Sequence, residues 1–123
     1  MSSSTRTEIR VWFGILAAPI AWTVEHVFGY GWTEATCSPG GGSSVSAFHV
    51  GAVVLSAAGV LIGLAGLFAG IGVLRATESH EDPPPGGRLR MLAAVAVTAT
   101  PLFMMIMILS AVGALTLDAC RPG

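Results

Sequence analysis

Three long apolar blocks, a scarcity of charge and a one-sided distribution of arginine predict an all-α membrane protein of three antiparallel transmembrane helices, with a cytoplasmic N-terminus and an outside C-terminus. Hydrophobic residues make up 53% of the 123-residue chain and charged residues 11%. Globular chains carry about a quarter charged residues, so this composition excludes a soluble domain. With six Arg, no Lys and a formal net charge of −1, the chain lacks the basic excess that neutralises phosphates. Nucleic acid is therefore excluded as a partner.

The blocks run over about 9–32, 45–74 and 91–117, and the single domain they form covers 1–123. Each suffices to cross about 30 Å of hydrocarbon at 1.5 Å per residue. The chain is too short to close a barrel from alternating strands, which leaves helices to satisfy the backbone in lipid. The second block exceeds an upright span, and tilt or an interfacial extension accommodates the surplus. Thr33–Ser44 and Arg75–Arg90 read as loops, because Cys-Ser-Pro-Gly-Gly-Gly-Ser-Ser and Glu-Asp-Pro-Pro-Pro-Gly-Gly cannot continue a helix. No internal repeat is evident.

Arginine sets the orientation. Arg6, Arg10, Arg75, Arg88 and Arg90 fall on one side and only Arg121 on the other, which places the N-terminus and second loop in the cytoplasm. A rival reading of the first block is a cleaved signal peptide ending in Leu-Ala-Ala-Pro-Ile-Ala. Against it, the apolar run continues through Val24, Val27 and Phe28, with no clean A-x-A site.

This topology puts the only two cysteines, Cys37 and Cys120, on the same outer side. A disulfide between them is the favoured expectation in an oxidising compartment. Free thiols, or a metal-binding pair with His49 as a third ligand, are the other readings.

On the second block, His49, Ala52, Ser56, Gly59, Gly63, Gly66 and Gly70 recur at alternating steps of three and four, which is one helix face. Small residues let a second backbone approach closely, and in lipid packing drives association. The face serves either the chain's own first and third helices or a larger partner. Leu55, Ile62, Leu67 and Val73 are assigned to lipid.

In the first block stand Glu25 and His26, about two turns inside the outer boundary. A charge there is costly, so both are expected to face protein or water. Glu25 shares the small-residue side with Gly14, Ala18 and Ala21, while His26 follows Pro19 and Trp22, with Tyr30 beyond. Three roles are open to the pair: a satisfied polar contact near the interface, anchored by Trp22, Tyr30 and Trp32; a contact to a partner subunit; or a redox site in which His26 and His49 bind haem or copper.

Pro19 and Pro101 remove backbone donors and are expected to kink their helices, freeing carbonyls near Ile15 and Val97, the latter within reach of Thr98 and Thr100. Met104, Met105 and Met107 point different ways and suit packing or lipid better than copper. His80 lies in the acidic cytoplasmic loop and is expected to be solvated. No GxSxG, phosphate loop or HExxH is present, so the chain is read as non-catalytic and as binding no metal or cofactor by itself.

Pro19-Ile20-Ala21-Trp22 with His26 and Tyr30, Cys37, His49, Pro101-Leu102-Phe103 and Leu117-Asp118-Ala119-Cys120 together resemble a group of small three-span bacterial membrane proteins encoded beside cytochrome c oxidase genes. The resemblance covers most of the chain through short motifs. It implies a non-catalytic accessory or assembly subunit of a haem-copper cytochrome oxidase in the bacterial cytoplasmic membrane. Two alternatives remain: a haem- or metal-binding redox protein using His26 and His49, and a small proton-coupled transporter with Glu25 as coupling carboxyl.

Overall fold

The computed structural model describes residues 2–40, 44–77, 86–118 and 120. Three helices account for almost all of them: α1 (Ser3–Cys37), α2 (Val45–Ala76) and α3 (Gly86–Thr116). Each is long and apolar enough to cross a membrane, as a multi-pass membrane protein requires.

All three helices exceed their expected bounds, α2 only by ending at Ala76 and not at 74. α1 was expected over 9–32, with a loop from Thr33, yet it spans Ser3–Cys37. α3 starts at Gly86 and not at 91. The reason is that loss of apolarity marks where a helix leaves hydrocarbon, whereas Pro, Gly and caps mark where it stops. At the start of α1, Ser2 accepts a hydrogen bond from the Thr5 backbone N–H, an N-cap before a polar turn without breakers. At its end, the Thr33 and Thr36 hydroxyls donate to the carbonyls of Gly29 and Trp32, both at 2.8 Å. The helix stops only at Ser38-Pro39-Gly40, where Gly40 takes φ 91°, a left-handed conformation that favours glycine. At 35 residues α1 is about 52 Å long and extends beyond the hydrocarbon.

All three pairs of helices are in contact. Along α2 the buried face is Ser56, Gly59, Gly63, Gly66, Gly70 and Val73, with Ala52 and His49 half-buried at its start. Val73 corrects an expectation, since it was assigned to lipid but is 2% exposed. It stands three residues beyond Gly70 and simply continues the face. The stripe packs against the chain's own α1 and α3. Cβ atoms added at Gly66, Gly63 and Gly59 would lie 3.1, 3.8 and 3.8 Å from the Cβ atoms of Ala17, Ala18 and Ala21.

From the other side α3 fills the same face. Met107 is fully buried with its sulfur over Gly59, and Met104 covers Gly63, while Met105 is 61% exposed. Flexible thioethers thus fill the hollows that two glycines leave. The tightest crossing is at Gly14, where a Cβ would come within 3.1 Å of the Gly66 carbonyl oxygen and 3.4 Å of the Ala96 Cβ. Thr100 is buried there and donates to the Gly14 carbonyl at 3.3 Å. Val11, Val73 and Ala93, with Ile15, Leu74, Leu89 and Leu92 around them, close the bundle beyond it.

Both prolines lie within continuous helices. Neither threonine expected at the Val97 carbonyl bonds to it: Thr98 donates to the carbonyls of Ala94 and Val95, while Thr100 turns inward to α1. His80 and Arg121 lie outside the described residues.

Gly14→Val should therefore destabilise the bundle by about 1–3 kcal/mol through overpacking against backbone that cannot withdraw. Gly72→Val, where a Cβ meets nothing within 4 Å, should leave the unfolding midpoint in detergent unchanged. Equal midpoints for the two variants would refute the crossing.

Candidate functional site

Toward the end of the bundle where α1 stops and α2 begins, Trp32 lies on Gly51 so closely that a Cβ there would overlap its ring, and Phe48 is buried. Both rings wall a cavity of about 240 Å³. Its walls are Glu25, His26, Gly29, Tyr30, Trp32 and Thr33 of α1, Phe48, Gly51, Ala52, Leu55 and Ser56 of α2, and Ser110, Ala111 and Ala114 of α3.

Glu25 is the one ionisable group buried among the described residues, at 8% exposure. It reaches that position because it continues the inward face of Val11, Gly14 and Ala18 along α1. Ser56, 31 residues away on α2, donates its hydroxyl to Glu25 Oε1 at 2.5 Å. Oε2 is buried and has no hydrogen-bond partner. A buried acceptor left unpaired costs about 1–3 kcal/mol, more for a charged group.

His26, next in sequence, turns outward and is exposed. Its ring stacks on Trp22 with centroids 5.4 Å apart, and Trp22 in turn meets Phe103 of α3 at 5.8 Å. His49 lies apart from this group. It lines a different cleft, with Thr116, Asp118 and Cys120, and contacts Phe48 at 5.9 Å between centroids. The two histidines expected to share a haem or metal thus border separate cavities. Among the described residues, no three His, Cys, Asp or Glu side chains are grouped to hold a metal ion.

Cys37, the last residue of α1, is joined to Cys120, four residues beyond α3, in a disulfide with Cα atoms 5.2 Å apart. Of the three aromatics expected at headgroup level, Tyr30 is 71% exposed, whereas Trp22 and Trp32 are half-buried against neighbouring helices.

Sequence reasoning found Glu25, His26, the small-residue stripe and the cysteine pair. It missed Ser110 as a wall of the cavity, Thr100 as a link between α1 and α3, and Trp32 as the ring over Gly51. A place three residues before Gly113 and four before Ala114, on a face of small residues, was the available signal for Ser110.

The chain matches no protein-family model, no curated protein and no solved structure.

Ser56→Ala removes the hydrogen-bond partner that Glu25 has among the described residues and should lower stability in detergent by about 1–3 kcal/mol. In the Glu25→Leu background the same change should cost much less, because no carboxyl is stranded; equal costs in the two backgrounds would refute the coupling. For the disulfide, reduction should shift gel mobility in the native chain and leave Cys120→Ser unchanged.

Proposed function

We propose that the chain is a non-catalytic accessory subunit of a bacterial respiratory membrane complex, a haem-copper cytochrome oxidase, in the cytoplasmic membrane. Three antiparallel spans carry the N-terminus and second loop on the cytoplasmic side and the disulfide outside. The order in which positions 14, 17, 18 and 21 of α1 meet progressively earlier positions of α2 supports the antiparallel arrangement. The arginine count supports the orientation.

The observation that carries the accessory role is an apolar groove of about 590 Å³ on the outside of the α1–α2 pair. Ile9, Trp12, Phe13, Leu16, Ile20 and Val24 form one bank and Leu55, Ala58 and Ile62 the other, with Ala17, Ala21 and Gly59 between them. From Ile9 to Val24 it runs about 22 Å along the helix, long enough to seat several turns of a neighbouring transmembrane helix. Small residues between larger banks are the kind of surface on which helices pack in lipid. The short motifs resembling oxidase-associated proteins point to the complex that supplies that helix.

Purification in mild detergent should recover the chain together with haem-containing subunits. Ala58→Trp, which fills the groove from a lipid-facing position, should reduce that recovery by about tenfold, the equivalent of roughly 1.4 kcal/mol, with the disulfide and helical content unchanged. Recovery solely as a free monomer in several detergents would overturn the proposal, and full co-purification of Ala58→Trp would remove the groove from it.

A further inference from the structure

We propose that the Glu25 cavity is a binding site for a small organic ammonium ion with an apolar body, the ammonium pairing with Glu25 and the body lying against Tyr30, Trp32 and Phe48. The site does not depend on the groove or on the accessory role.

Three observations converge on that chemistry. The first is the carboxyl itself, 92% buried in the apolar part of the bundle, with Ser56 on one oxygen and nothing on the other. The terminal torsion of a glutamate is broad, so the carboxyl can rotate to present one oxygen to the cavity that Glu25 lines while the other stays within reach of Ser56. An ionisable group at such a place marks a site whose partner must be found.

The second is the absence of an internal cation. The chain has no Lys, and among the described residues no arginine lines the cavity. Glu25 is the only acidic residue among the described ones in the wall, so the cavity disfavours anions and offers a place for a positive charge.

The third is the rest of the lining. An ammonium carries three donors and no acceptor. Glu25 and the Ser110 hydroxyl oxygen are acceptors on the wall. A neutral alcohol supplies one donor and cannot meet both. The aromatic rings add faces to which a cation is attracted, by about 0.5–2 kcal/mol each where desolvated. The size suits a single ring with a short amine arm rather than a lipid or a large drug.

The test uses the full chain in dodecyl maltoside, with Trp12→Phe and Trp22→Phe so that Trp32, on the cavity wall, is the remaining tryptophan. Phenethylammonium should change its fluorescence saturably, and neutral phenethyl alcohol should bind at least about tenfold more weakly. Glu25→Gln should bring the ammonium down to the level of the alcohol. Ser110→Phe, which fills the cavity from α3 and leaves the carboxyl in place, should abolish both and keeps the test decisive where Glu25→Gln fails to fold. Equal binding of ammonium and alcohol, undiminished ammonium binding by Glu25→Gln, or no saturable change in the parent would each overturn the proposal, the last meaning that water alone fills the cavity.

Discussion

Everything else in this bundle depends on the approach of three helices at Gly14 of α1, Gly66 and Gly70 of α2 and Ala96 of α3. Lipid offers helices no hydrophobic reward for associating, so their attraction must come from contact between atoms and from hydrogen bonds that hydrocarbon cannot supply. A Cβ at Gly14 would press on the Gly66 carbonyl from 3.1 Å, and the Thr100 hydroxyl closes the same point from α3 by donating to the Gly14 carbonyl. That crossing fixes which faces turn inward. Alanines of α1 then meet the glycines of α2 in succession, and Met104 and Met107 fill what the glycines leave open.

The same residue type does opposite things at the two ends. In the middle of the bundle, glycines face backbone and thioethers. Near the disulfide, Gly29 and Gly113 face open space. At that end it is Gly51 that meets a ring, that of Trp32, where a Cβ would overlap it. Small residues permit close approach but do not enforce it. The cavity that Glu25 lines is walled there by Trp32 and Phe48.

The sequence was most informative where lipid constrains it most. Three helices, the α2 stripe and the inward position of Glu25 follow from residue type and a period of 3.6, because a span has few ways to hide polar atoms. It was less informative at the helix ends, since Thr33–Cys37 and Gly86–Arg90 are polar yet helical, and polarity alone does not separate a loop from a helix standing in the interface. Val73 was misassigned because the stripe was read by residue size, although the period continued through it. Ser56 was identified as a packing residue, but its bond to Glu25 depends on the register between two helices, and no periodicity within one helix encodes that. The same holds for Thr100 and Gly14, separated by 86 residues.

The two ends of the bundle are held by different means. Cys37 ends α1 and Cys120 lies just beyond α3, so the disulfide ties these two helices at the end where Trp32 lies over Gly51. At the opposite end Val11, Val73 and Ala93 meet directly, and side-chain contact suffices. The bundle therefore uses contact between apolar side chains at one end, close backbone approach in the middle and a covalent tie at the other. The covalent tie thus stands at the end that carries the cavity, where side chains of α1, α2 and α3 wall a space around Glu25 and do not fill it.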